Sequence, residues 1–283
     1  MECIVCGSAK SAGLSSWHAT CPSCRYESAG LQPTINETSA HAMLNEHDRE
    51  AGLKALRSEN FETIVGYAAR YASPAATTLL DVGSAHGWFL EAARARFKVL
   101  GIEPDAAVGA GAASRGLPVR QGYFPDALKD NERFDVIVFN DVIEHIPDIR
   151  SAVSACKDRL NKDGVLILNL PSSRGFFFRL SKIFARLGWH APFERLWQKD
   201  LPSPHVHYFD CDNLAVLVGK QGFELLKTAQ LPSLRAVGLL ERLRCVGNVN
   251  KLGLYLQYGA ILCAIPVLRI FPSDIVVCIF RKK

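Results

Sequence analysis

Residues Thr77 to Asp105, TTLLDVGSAHGWFLEAARARFKVLGIEPD, hold three signals in one order. An apolar strand ends at Asp81, a turn bearing Gly83 and Gly87 follows, and a helix begins near Gly87. A second apolar strand then delivers Glu103, 20 residues beyond Gly83. Glycine serves a turn where φ is positive or where the backbone must approach a ligand, and the helix it opens directs N–H groups at an anionic moiety. An acidic side chain at the carboxyl end of the next strand can take both hydroxyls of a ribose. The run therefore predicts a site for a nucleotide-type ligand. The loop has neither the Gly-Lys-Ser/Thr of a phosphate cradle nor the G-x-G-x-x-G of a dinucleotide fingerprint. Ala85 stands where the middle glycine would be, so no pyrophosphate needs to be accommodated.

Further along, FDVIVFNDVIEHIPD (134 to 148) reads as a buried strand, a polar tip at Asn140 and Asp141, then Glu144-His145 before a proline break. With the D-x-G-x-x-x-G turn, this E-H-I segment resembles the class I S-adenosylmethionine-dependent methyltransferases, specifically their small-molecule and glycan branch. The resemblance is close from Thr77 to Pro171 and looser from Thr38 to the C-terminus. It implies a Rossmann-like α/β fold with an antiparallel last strand and S-adenosylmethionine as cofactor. By the same resemblance, Asp81, Gly83 and Gly87, with Ala85 between them, hold the methionine moiety and Glu103 the ribose. Asn140 or Asp141 lines the cofactor floor. The family often places an acidic residue after the third strand for the adenine amine; this chain has Gly122-Tyr123-Phe124 there.

The surrounding pattern agrees. Strands are expected at 77–82, 98–103, 118–121, 134–140 and 164–170, and helices at 87–96, 105–115 and 148–160. Such alternation predicts parallel pairing in a doubly wound sheet, with ligands at the strands' carboxyl ends. A helical lead-in over 38–74 turns amphipathic through Leu53, Leu56, Phe61, Ile64, Val65 and Ala68 and stops at Ser73-Pro74. The methyltransferase unit then occupies 75–283. A helix over 210–221, with Asp210 at its start and Gly222 past its end, and strands near 223–229 and 274–281 complete it.

Residues 1–30 form a zinc-ribbon-like unit. Cys3-x2-Cys6 and Cys21-x2-Cys24 supply four thiolates from two knuckles, a set that tetrahedral Zn2+ accepts with no open position. The five cysteines at 156, 211, 245, 263 and 278 are expected to be buried small hydrophobes in a reducing compartment. The start MECIVCGSAK has no apolar core of a secretory signal. These features predict a cytoplasmic protein, with peripheral contact at the inner membrane face as a further option.

Two inserts stand apart. Residues 172–204 carry Arg174, Arg179, Lys182, Arg186, Arg195 and Lys199 against Glu194 and Asp200. Phe177, Leu180, Phe184 and Leu187 share one helical face there, read either as a packed face under a solvated cationic one or as a lid approaching an anionic or membrane-bound acceptor. In the apolar insert 231–272, the uncharged run between Lys251 and Arg269 has 17 residues interrupted by Gly253, Gly259 and Pro266. A simple membrane span needs about 20 mostly apolar residues, so a buried or interfacial helix is expected.

His145 is the first choice for a general base, since an imidazole with a pKa of ~6.5 accepts a hydroxyl proton near neutral pH. Its alternative use is to pack the loop after the strand. His205 and His207, in PHVHYFD, compete for the role. Their H-x-H spacing also invites a metal, for which the sequence offers no third ligand nearby; ordering a loop at the pocket rim is the simpler use. The leading expectation is O-methylation of a small molecule, sugar or lipid-linked glycan, with C-methylation of a sugar still open. An RNA methyltransferase gripping nucleic acid through the ribbon is a second reading. Against it, the end of the fourth strand reads Asn140-Asp141-Val142-Ile143 instead of [DN]-P-P-[FY], and the net charge of +5, from 33 basic and 28 acidic residues, is mild. A non-enzymatic cofactor-binding scaffold is the third.

Overall fold

The computed structural model describes residues 1–33, 46–245 and 251–283. In chain order the elements are β1 (Ser11–Ala12), β2 (His18–Thr20), β3 (Glu27–Ala29), α1 (Glu46–Tyr71), β4 (Thr78–Val82), α2 (Trp88–Ala93), β5 (Lys98–Glu103), α3 (Ala106–Ser114) and β6 (Val119–Gln121). They continue with β7 (Phe134–Asn140), α4 (Ile149–Arg159), β8 (Leu160–Pro171), α5 (Phe176–Arg186), α6 (Ala191–Leu196), β9 (His207–Tyr208) and α7 (Cys211–Gly219). The chain ends with β10 (Phe223–Leu231), α8 (Leu239–Cys245), α9 (Lys251–Leu268) and β11 (Ile275–Lys282).

A seven-stranded sheet in the order β10-β11-β8-β7-β4-β5-β6 forms the centre. The five strands from β8 to β6 are mutually parallel, and β11 runs antiparallel between β8 and β10. The sheet is thus a Rossmann-like α/β sheet with an antiparallel last strand. Side chains on successive strand residues point to opposite faces, so apolar runs feed two layers. Leu80, Ile137 and Phe139 pack on one face with α4 and α7, while Leu79, Val136 and Val138 pack on the other with α1 and α2. Val82 pairs with both Ile102 and Phe139, which brings the carboxyl ends of β4, β5 and β7 level with one another.

Several boundaries differ from the pattern reading. The helix expected at 87–96 covers only Trp88–Ala93, because the chain must turn through Arg94–Phe97 to bring the Lys98 amide onto Thr77 O. β8 extends past 164–170 at both ends, its later part held by β11. Within the helical lead-in, α1 runs Glu46–Tyr71; its expected start at 38–45 lies outside the described residues. Asp210 caps α7 at its start, as the sequence predicts; Asn213 returns a reciprocal contact, and the helix ends at Gly219. Cys156 and Cys278 are buried, but Cys263 is exposed because it lies on the outward side of α9.

The N-terminal segment is not isolated from this body. Its strands form a second sheet, β1-β2-β3-β9, in which Glu27 and Ser28 pair with Tyr208 and His207. The Arg150 guanidinium donates to Ile4 O, and the Asn213 amide donates to Cys24 O.

Candidate active site

The aligned ends of β4, β5 and β7 open onto a cavity of about 700 Å³. The β4–α2 turn forms one wall. Gly83 and Gly87 have φ of +71° and +74°, and both are closely covered: a Cβ on Gly83 would fall 2.5 Å from Val142, and one on Gly87 2.5 Å from Leu117. Glycine is required twice over, by conformation and by space. The Gly83 and Ser84 amides donate to Ile102 O, and the Ala85 amide donates to a Glu103 carboxylate oxygen at 2.8 Å. The other Glu103 oxygen accepts from the Asp105 amide at 2.9 Å. The acidic side chain is thereby fixed against the glycine turn at the strand end.

Gly83, Ala85, Glu103, Asn140 and Asp141 all line the cavity; Asp81 and Gly87 lie behind its wall. Asp81 is buried and accepts from the Asn140 amide at 3.1 Å. Burial, together with the nearby Glu103 charge, pushes its carboxyl up to about 8 despite that hydrogen bond. Gly122, Tyr123 and Phe124 line the part of the cavity beyond Glu103.

The opposite wall joins residues distant in sequence. Ile143–His145 form a single 3-10 turn after β7, and the chain entering β9 brings His205 alongside it. The rings of His145 and His205 are 4.7 Å apart. Each presents its Nε2 at 4.0 Å from one oxygen of Glu144, which is buried with neither oxygen hydrogen-bonded among the described residues. Burial, with the nearby Asp141 charge, raises the Glu144 carboxyl well above its usual range. The His145 Nδ1–H donates to Pro204 O at 3.0 Å, which leaves Nε2 as its basic atom. Burial lowers the His145 pKa below the ordinary imidazole value. His205, lowered to about 3 by burial and by His145, receives the Gln198 amide on Nε2 at 2.9 Å.

His207 is outside this cluster. Its Nε2–H donates to Ile146 O at 3.0 Å while its Nδ1 accepts from the Tyr26 hydroxyl, so both nitrogens serve the joint between the N-terminal segment and the body. Of the H-x-H pair only His205 meets other possible ligands among the described residues, and both come from the turn after β7. The ligand atoms of Glu144, His145 and His205 lie within 4.8 Å of one another. Arg57 of α1 also lines the cavity, 3.4 Å from the Asp141 carboxylate. The amphipathic pattern of α1 offers no sign of that role, since arginine fits any solvated helix face.

A methyltransferase-domain family model matches residues 46–228. The chain belongs to this methyltransferase family. Its fold is that of the class I S-adenosylmethionine-dependent methyltransferases, as the solved structures show. An S-adenosylmethionine-dependent methyltransferase from Thermotoga maritima superposes with a TM-score of 0.55 at 20% identity, covering 84% of this chain and 95% of that one. A magnesium protoporphyrin IX methyltransferase from Synechocystis, solved with S-adenosylhomocysteine, gives 0.53 at 11% identity over 84% and 86%. In sequence, the chain is 33% identical over 130 residues to a ubiquinone biosynthesis O-methyltransferase of Paramagnetospirillum magneticum, a match covering 43% of this chain. The chain spans about half the length of that curated relative, 52%.

The four N-terminal cysteines form a compact cluster. Cys3 and Cys24 are 3.6 Å apart through sulfur, Cys6 and Cys21 are 3.5 Å apart, and all four sulfurs lie within 4.8 Å of one another. A tetrahedral ion with Zn–S bonds of ~2.3 Å separates its sulfurs by about 3.7 Å, so the donor set fits such an ion. The Ser8 hydroxyl lowers the Cys6 thiol to about 6.

Proposed function

We propose that the protein is an S-adenosylmethionine-dependent O-methyltransferase whose acceptor is a small molecule, sugar or lipid-linked glycan bearing a hydroxyl. The observation that carries this reading is the sharing of one cavity by the Gly83–Glu103 turn and the neutral His145 imidazole. In this reading Gly83 and Ala85 border the methionine portion, with Asp81 and Gly87 fixing the turn from behind. Glu103 takes the ribose hydroxyls, and Asn140 and Asp141 form the floor. Arg57 is the cation available to the cofactor's carboxylate.

The reaction is an in-line displacement in which the acceptor oxygen forms a bond to the methyl carbon as the carbon–sulfur bond breaks. His145 Nε2 would accept the hydroxyl proton, and S-adenosylmethionine, when bound, would supply the methyl as a sulfonium that is released as a neutral thioether. The cofactor supplies the electrophile, so the protein's task is to orient two reactants and remove a proton. The similarity to ubiquinone biosynthesis O-methyltransferases supports oxygen as the acceptor atom. We further propose that Cys3, Cys6, Cys21 and Cys24 hold one structural zinc, on the sulfur spacing given above.

Calorimetric titration with S-adenosylmethionine tests the cofactor, with NAD as control: binding of NAD alone would sink the reading. Extracts incubated with methyl-labelled cofactor and fractionated into glycan, lipid, RNA and protein test the acceptor. Label in a hydroxyl-bearing small molecule or glycan is expected, and label confined to RNA would overturn that assignment. Metal analysis of protein retaining all four thiols is expected to find about one zinc per chain.

A further inference from the structure

The outward side of α9 carries no charge. Successive α-helical residues are turned by about 100°, and on that wheel Leu254 and Ile265, the buried residues, mark the inward face. Leu256, Ala260, Cys263 and Val267 are exposed and fall on the other side, with exposed Tyr255 and Gln257 at its two flanks. Tyr255 is 55% exposed, Leu256 65% and Val267 56%. The apolar exposure continues past the helix, with Ile270 at 81% and Phe271 at 45%. Monomeric proteins seldom present so many large apolar groups together without a use for them.

α5 meets the end of this segment. Phe176 at its start packs on Phe271 with ring centroids 4.8 Å apart, and its amide donates to Pro272 O. The buried face of α5 holds Phe178 and Ala185. Leu180, Ile183 and Leu187 lie nearly opposite on the helical wheel; Ile183 is 50% exposed and Leu187 79%. Of the apolar stripe Phe177, Leu180, Phe184 and Leu187, Leu187 faces solvent and the other three are half-buried. The stripe is flanked by exposed Arg179 and Arg186, and α9 is followed by exposed Arg269. Neither α5 nor the stretch from Lys251 to Ser273 contains an acidic residue.

We propose that the α5–α9 face docks on the surface of an anionic lipid bilayer, with the apolar side chains in the interface and the arginines at the headgroups. An apolar face rimmed by cations suits such an interface, where hydrocarbon burial and attraction to anionic headgroups add. A second copy of the chain would set like charges against each other. Among the described residues no helix is long and apolar enough to cross a membrane, so the contact is peripheral. The inference is independent of the acceptor's identity and of His145.

Flotation of the full chain with vesicles tests it, comparing phosphatidylcholine alone with phosphatidylcholine containing phosphatidylglycerol. The protein is expected to float with the anionic vesicles and to be released as salt is raised. The combined substitutions Leu256→Glu, Val267→Glu and Ile270→Glu should weaken that binding by about tenfold or more. Arg179→Gln with Arg186→Gln and Arg269→Gln should weaken it on anionic vesicles only. Thermal melting and cofactor titration of each variant establish that it is folded. The proposal is overturned if the wild-type chain floats with neither vesicle or if the glutamate variant floats unchanged. It is equally overturned if the same glutamates instead dissociate a self-associated form that binds no lipid.

Discussion

At His145, burial and a single hydrogen bond fix both the protonation state and the tautomer. The Pro204 carbonyl holds the proton on Nδ1, and burial keeps Nε2 unprotonated below the ordinary imidazole range. If His145 accepts the acceptor's proton, the acid limb of the kcat–pH profile should lie below ~6.5. Removing a general base typically costs about 10²–10⁴-fold, so His145→Ala should lower kcat by that order while cofactor affinity is kept. The acid limb should also vanish in the variant, which a packing role alone would not produce. Asp81 makes a separate prediction about stability. Its carboxyl is raised to about 8 in the folded protein from an ordinary value near 4. Below that ordinary value both folded and unfolded chains hold the proton, and there is no penalty. As pH rises toward 8 the unfolded chain ionises first, so the folded state progressively loses stability. Asp81→Asn keeps an oxygen acceptor for Asn140 and does not titrate. The cofactor-free variant should therefore gain stability over wild type between pH 4 and 8, read as the difference in urea midpoints.

At the scale of elements, the β4–α2 turn was legible because its requirements are local. Positive φ at Gly83 and Gly87, and the close cover above them, select glycine at fixed spacing, and one strand later the same turn needs Glu103. Gly83→Ala combines left-handed strain of ~1–2 kcal/mol with a collision against Val142. It should lower the melting temperature measurably and weaken cofactor binding, checked by scanning fluorimetry with and without S-adenosylmethionine. The orientation of α5 was not legible. Its periodicity reveals an apolar stripe, but which side meets the body is decided elsewhere. Asp274 accepts from the Phe177 and Phe178 amides, and the Lys182 ammonium bonds Glu27, and together these anchors turn Phe178 inward. Removing the cap by Asp274→Ala should cost about 1 kcal/mol, measured by chemical denaturation.

Across the whole molecule, the His145–His205 pair was hidden from the sequence because it depends on the route of the chain between β8 and α7. That route passes along the N-terminal sheet: the Ala29 amide donates to Val206 O, and β9 lies beside β3. The HxH motif is divided by this arrangement, with His205 in the cavity and His207 bonded to Tyr26. Trp17 and His18 of the N-terminal segment also pack on Phe193 and Trp197, and the Trp197 carbonyl accepts from the His205 amide at 2.9 Å. A loss of order in that segment should therefore reach the His205 side of the cavity before the Gly83–Glu103 side. If the four thiolates hold zinc, Cys21→Ser with Cys24→Ser should lower the melting temperature and raise the KM for the acceptor. The dissociation constant for S-adenosylmethionine should change far less, because the turn is held by Ile102 O and by the Glu103 carboxylate, both within the central sheet. Parallel determination of these two constants in the wild type and the double variant decides the matter. Equal losses on both sides would mean that the N-terminal segment supports the body as a whole, and an unchanged acceptor KM would remove its link to the site.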